Sequence, residues 1–238
     1  MGRAFEFRKT RKLKRWANMA KTFTKFGRQI AMAVKQGGGD PTNNPTLRMI
    51  MQNAKAANMP KDRIEAAVKK ASSKDEKDYE EVVYEGYAPH GIAILVECAT
   101  DNPVRTVASV RSYFTRAGGT LGKTGSLDFM FDRKGVFKLK AEGLNIEELE
   151  LELIDAGLEK TELNEDGELV IYTAFSDFGT MRDALEERKF EIMGAELQRI
   201  PTTTTELTDE QAEEISNLIE KFEEDEDVTA VFHNMREA

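Results

Sequence analysis

Cysteine is nearly absent. The single Cys98 excludes an intramolecular disulfide framework and any multi-cysteine zinc site. Histidine occurs twice, and no H-E-x-x-H spacing is present, which argues against a metalloenzyme. No apolar run approaches the roughly 20 residues that cross a bilayer; the longest clean one is Ile92 to Val96. The start is charged and lacks the apolar h-region of a secretory signal. A soluble, cytoplasmic protein with no membrane partner and no metal or other cofactor is the expectation. The 238 residues allow two or three domains with real cores.

Acid is missing where base is plentiful. The net charge of −9 conceals a split: residues 1–72 hold 17 basic and 4 acidic side chains, and residues 73–238 hold 17 basic and 39 acidic ones. From Arg8 to Lys35 there is no acid at all, and Arg8 to Arg15 places six cations in eight residues. Two pieces of opposite charge have different electrostatic partners. A basic piece on an acidic body suits nucleic acid, because the basic part docks on phosphate while the acidic part is repelled. A basic amphipathic helix is also the form of a membrane-surface or targeting segment. Here the apolar face has two following helices to cover it.

Those three helices are legible from their spacing. Trp16, Met19, Ala20, Phe23, Phe26, Ile30, Ala33 and Val34 recur at three and four residues, one helix face. Lys14, Lys21, Lys25, Arg28 and Lys35 centre on the opposite face. Gly37, Gly38 and Gly39 stop the helix. A second helix opens with Asn44 as cap and Pro45 as first residue, and buries Leu47, Ile50, Met51, Ala54 and Ala57. A third starts at Pro60 with Ile64, Ala67, Val68 and Ala71 inward. Three apolar stripes must bury one another, so a helical bundle is predicted. Residues 72–78 read as a linker.

From Tyr79 the pattern becomes mixed. Strands are predicted at 91–99, 126–131, 135–140, 191–200 and 228–232. A hairpin spans 160–173 and turns at Glu165-Asp166-Gly167. Helices are predicted at 103–117, 146–156, 177–188 and 208–226. From Gly135 to Ile200 the order is β-α-β-β-α-β, the ferredoxin-like order. The flanking segments pair into a second unit of the same type, with Pro201 and Thr202 to Thr205 as the return crossing. The predicted fold class is therefore α+β: an N-terminal three-helix bundle followed by two ferredoxin-like α+β domains, one inserted in the other. The boundaries are 1–78 for the bundle, 79–133 plus 203–238 for the split domain, and 134–202 for the inserted one.

No constellation carries catalytic chemistry. The run from Gly118 to Gly125 tempts a phosphate-loop reading, but the required glycine position holds Ala117, and the run goes from helix to strand. His90 has no partner in sequence, and no nucleophile, base and orienter occur together. Cys98 sits in an apolar strand and reads as core. Asp101, Asn102 and Arg105 could hold a polar ligand, though a strand-end turn capping the next helix accounts for the first two. The acids from Asp209 to Asp227 surround the apolar face of one helix and lack the glycine and alternation of a calcium loop.

Several motifs resemble the YebC/PmpR family. They are Lys35-Gln36-Gly37-Gly38-Gly39-Asp40-Pro41 through Asn44-Pro45 and Leu47-Arg48, then Asn58-Met59-Pro60, Tyr84-Glu85-Gly86-Tyr87, Thr100-Asp101-Asn102 and Arg105-Thr106-Val107. Gly118-Gly119 through Leu121-Gly122 to Gly125-Ser126, and Val231-Phe232-His233-Asn234, extend the match to nearly the whole chain. The resemblance implies three domains, a helical bundle and two α+β domains. It also implies a DNA-binding transcriptional regulator, or in other members a translation factor at the ribosome, and no enzymatic activity. The chain departs from the common pattern at its start. Many members begin with Gly-His-Ser-Lys-Trp, whereas here Arg3 to Arg15 precede Trp16 with no histidine and the cationic character kept.

The expected function is a non-enzymatic nucleic-acid-binding regulator whose partner is DNA or, in the second reading, ribosomal RNA on the ribosome. The candidate phosphate contacts are Arg8, Lys9, Arg11, Lys12, Lys14, Arg15, Lys21, Lys25, Arg28, Lys35, Arg48 and Lys55. No small-molecule substrate is expected.

Overall fold

A computed structural model describes residues 3–73, 78–164 and 167–236, with side chains from residue 19 onward. In chain order the elements are α1 (Arg3–Gly37), α2 (Pro45–Ala56), α3 (Lys61–Ala71), β1 (Glu80–Tyr87), β2 (Ala93–Thr100), α4 (Pro103–Arg116), β3 (Thr120–Leu121), β4 (Phe131–Lys140) and α5 (Ile146–Leu153), continuing with β5 (Leu158–Leu163), β6 (Glu168–Ala174), α6 (Phe178–Glu187), β7 (Ile192–Pro201), α7 (Asp209–Glu223) and β8 (Val228–His233). The architecture is α+β with two four-stranded sheets. No described helix is long and apolar enough to cross a membrane. Residues 74–77 of the expected linker and the hairpin residues Glu165 and Asp166 lie outside the described set.

The chain divides into two compact units, residues 1–124 with 207–231, and residues 125–206 with 232–238. In the first unit the apolar stripes of α1, α2 and α3 meet as their spacing requires. Ile30, Ala33 and Val34 bury against Leu47, Ile50 and Ala54 of α2 and Ile64 and Ala71 of α3. The turn between α1 and α2 is built on Asn44. Its side chain caps α2 by accepting from Leu47 N, and its amide donates to Ala33 O at 2.8 Å and Gly38 O at 2.9 Å. Gly37 is glycine because a Cβ there would meet Asn44 at 2.7 Å.

The sheet of this unit has the order β3-β1-β2-β8. Its first strand, Glu80–Tyr87, is missing from the sequence reading, and it pairs antiparallel with β2 over its whole length. Its polar ends, Glu80-Glu81 and Glu85-Gly86-Tyr87, mask the alternation that marks a strand. Ile92 to Val96 are all fully buried, so both faces of β2 are covered. On α4, Phe114 packs on Phe222 of α7 with ring centroids 4.9 Å apart. Thr208 caps α7 in a capping box, with the Gln211 side chain answering it.

The second unit runs β4-α5-β5-β6-α6-β7 with strand order β5-β6-β4-β7, the ferredoxin-like arrangement expected from Gly135 onward. Phe137 stacks on Phe178 of α6 at 4.8 Å, and Gly135 leaves the room that Phe178 and Thr173 occupy. Residues 126–131 are not a strand separate from 135–140. A 3-10 turn covers Asp128–Met130, and β4 then continues unbroken to Lys140. The polar run Asp132 to Lys134 hides that continuity in the sequence, whereas pairing with β7 from Phe131↔Pro201 onward enforces it.

Candidate nucleic-acid interface

The second half of α1 carries Lys21, Lys25 and Arg28 at helical spacing, on the face opposite the bundle core. That face meets the acidic end of α7. Lys21 Nζ lies 3.7 Å from Glu224, and Lys25 Nζ donates to Glu223 O at 3.1 Å. The second contact places a cation on a helix C-terminal carbonyl, where the helix dipole is negative. Burial lowers the Lys25 pKa, and the charge of Glu223 partly opposes this. Arg28 lies deepest, 12 % exposed. Its guanidinium donates to Asp227 Oδ1 at 2.5 Å and to Ala99 O at 2.9 Å, and Glu226 stands 3.6 Å away.

Asp227 is the centre of this arrangement. Its buried carboxylate also accepts from Arg105 at 3.0 and 2.8 Å, from Thr106 Oγ1 at 2.7 Å and from Thr100 Oγ1 at 3.3 Å. Burial pushes this carboxyl pKa up. The hydrogen bonds from Arg105, Thr106 and Arg28 outweigh burial and hold it below the usual aspartate range. Asp101 takes a further bond from Arg105 at 2.9 Å, and Asn102 caps α4 by accepting from Arg105 N. The polar set at 100–106 thus binds a carboxylate of its own chain. Two arginines on one buried carboxylate, with two hydroxyls filling its remaining lone pairs, form a satisfied ion cluster that ties α1, β2, α4 and the α7–β8 turn together.

The other expected contacts are dispersed. Lys35 pairs with Asp78, Arg48 donates to Pro41 O at 3.0 Å, and Lys55 is exposed in the last turn of α2. Arg8, Lys9, Arg11, Lys12, Lys14 and Arg15 fall on the first half of α1, and their side chains lie outside the described ones. Helix α3, absent from the expected contacts, exposes Arg63, Lys69 and Lys70 beside Lys61. Their signal was available in the charge count of residues 1–72. Asp227 had no local signal, because its partner Arg28 lies 199 residues away.

The remaining singled-out residues serve packing. A Cβ on Gly119 would stand 2.5 Å from Tyr87 O, and one on Gly86 would stand 2.6 Å from Thr120 O, so these glycines let β1, α4 and β3 cross closely. His90, at φ +63°, bonds Glu214 at 2.8 Å and Gln211 at 3.3 Å, pinning the β1–β2 turn to α7. Burial, then the charges of Asp225 and Asp227, push the Cys98 thiol up to about 12, which removes thiolate reactivity at neutral pH.

Residues 3–74 match the family described as "TACO1/YebC protein N-terminal domain", and residues 79–235 match "TACO1/YebC second and third domain". A "Probable transcriptional regulatory protein" of Cytophaga hutchinsonii is 65% identical over 238 residues, 100% of this chain and 99% of that one. One of the same description from Parabacteroides distasonis is 58% identical, with 100% and 98% covered. A crystal structure titled as a conserved hypothetical protein, Aq1575 of Aquifex aeolicus, superposes with a TM-score of 0.78 at 36% identity, covering 91% of this chain and 90% of that one. Family models over residues 3–74 and 79–235, relatives at 65% and 58% identity and a solved structure at TM-score 0.78 agree, and the chain belongs to the TACO1/YebC family.

Proposed function

We propose that this protein is a cytoplasmic, non-enzymatic regulator of transcription that binds DNA through the phosphate backbone with its basic N-terminal bundle. The observation that carries this reading is the excess of cations in residues 1–72, with Lys55, Arg63 and Lys69 on exposed positions of α2 and α3. The printed descriptions of the relatives as transcriptional regulatory proteins support it. In this reading residues 1–78 act as the nucleic-acid domain. Residues 79–133 with 203–238, and 134–202, form acidic domains that orient the protein by repulsion from phosphate.

Lys21, Lys25 and Arg28 serve the fold in this proposal, since they are held by Glu224, Glu223 and Asp227. Phosphate contact falls to Arg8, Lys9, Arg11, Lys12, Lys14 and Arg15, together with Lys55, Arg63 and Lys69. The test is crosslinking in living cells followed by sequencing of the nucleic acid that purifies with the protein. Enriched promoter DNA supports the proposal, and discrete ribosomal RNA positions would replace it with action at the ribosome. In vitro, Lys55→Glu with Arg63→Glu and Lys69→Glu should weaken duplex binding. The slope of log K against log salt should flatten by roughly 0.9 for each phosphate the variant no longer neutralises. Unchanged affinity and slope would reject the α2–α3 surface.

A further inference from the structure

We propose that one end of the second unit's sheet is a stacking site for unpaired bases of a single-stranded nucleic acid. This deepens the nucleic-acid reading and rests on it. The end concerned is where β4 begins and β6 and β7 finish, as the pairs Phe131↔Pro201 and Lys134↔Ala174 define it. Two 3-10 turns open there. Asp128–Met130 leads into β4, and Phe175–Asp177 leads into α6. Each turn presents a phenylalanine to water: Phe129 is 77 % exposed and Phe175 is 44 % exposed. Phenylalanine is ordinarily a core residue, and the large buried aromatics of this unit, Phe131 and Phe137, behave so.

Arginine accompanies the rings. The Arg133 guanidinium lies 3.9 Å from the Phe175 ring centroid. A planar cation over a ring leaves its outer face as a second flat surface for a base. Arg199 stands opposite Arg133 in the β4–β7 register, and Asp128 lies 3.6 Å from its guanidinium. The next pair on the same face, Gly135↔Leu197, adds a partly exposed leucine. Charge alone is weak here, because Asp128 offsets Arg199. Affinity must come from flat apolar contact, which is what unpaired bases offer and duplexes withhold. A-form and B-form helices keep their base faces stacked on one another, whereas loops and single strands expose them.

The test uses the full chain, with a fluorescein-labelled 12-nucleotide oligouridylate and a 12-base-pair RNA duplex as anisotropy probes. Phe129 is a safe position, since its ring packs into no core. Phe129→Ala and Phe175→Ala should each weaken oligouridylate binding at least about fivefold, the scale of one base–aromatic stack. Duplex affinity should stay within about twofold. Arg133→Lys keeps the charge and loses the plane, so it should weaken the single strand with no change in salt slope. If the wild-type chain binds the single strand and both alanine variants bind it equally well, the stacking site is overturned while the nucleic-acid reading stands. Wild-type binding to the duplex alone has the same meaning. Binding to neither RNA probe overturns the stacking site and leaves the DNA reading to the crosslinking test.

Discussion

At the scale of single residues, Asp227 has the largest reach. Its carboxylate serves Arg28 and Arg105 at once in a nearly dry site, so removing its charge strands two cations. Asp227→Asn should lower unfolding free energy by roughly 3 kcal/mol in urea melts, and most of that loss comes from uncompensated Arg28, since Arg105 is half exposed. The pH dependence has a definite sign. The native carboxyl titrates below its unfolded counterpart, so its stabilisation is complete above about pH 4 and falls away as pH drops through the native value. The urea midpoint of the wild type should therefore decline on acidification over that window, and Asp227→Asn should decline less. A parallel decline in both would remove Asp227 as the cause. Gly119→Ala is a second residue-scale case. A methyl 2.5 Å from a backbone oxygen has nowhere to go, so a loss of about 2–3 kcal/mol and a lower Tm are expected.

At the scale of elements, caps and crossings hold the helices in place. Asn44 has three hydrogen bonds in the α1–α2 turn, one as cap and two as donor to the Ala33 and Gly38 carbonyls. Asn44→Ala should cost about 2 kcal/mol, more than an ordinary cap, while Thr208→Ala at the exposed start of α7 should cost about 1 kcal/mol. Thermal melts of the two variants compare them directly, and equal losses would mean that the two donor bonds of Asn44 contribute nothing. The helices themselves were readable, because Leu47, Ile50 and Ala54, or Ile215, Leu218 and Phe222, keep the helical period in sequence. Strand β1 was not readable. Its identity comes from eight residues of pairing with β2, and Glu85 is buried there against the rule for acids. The same holds for β4, whose polar first half is a strand because β7 runs beside it.

At the scale of the whole molecule, connectivity separates the two units. All six elements of the ferredoxin-like unit are contiguous, from β4 to β7. A fragment of residues 127–204 should therefore fold by itself, giving a cooperative melt and dispersed amide NMR signals. A fragment ending at Thr124 lacks α7 and β8, and with them Phe222 and Asp227, so its sheet should not form. Cooperative folding of the fragment ending at Thr124 would show that the ion cluster is dispensable. Charge acts at this scale too. Lys21, Lys25 and Arg28 of α1 are held by the acidic end of α7 and the turn after it, so the +13 excess of residues 1–72 overstates the free positive charge of the bundle.

The amino-acid order alone determined the helical bundle, the ferredoxin-like run from Gly135, the family motifs and the split of charge. Each of these is a local pattern, set by the helical or strand period, by a cap or by composition, and needs no distant partner to be legible. Tertiary structure alone decided which cations meet an internal carboxylate, that Thr100, Arg105 and Thr106 hold Asp227 instead of a ligand, and that Phe129 and Phe175 face water. Those outcomes depend on segments far apart in the chain, such as Arg28 and Asp227, and on which side of a strand or turn each residue takes once its neighbours have paired. Burial and long-range pairing are properties of the assembled fold, and a linear pattern carries no record of them.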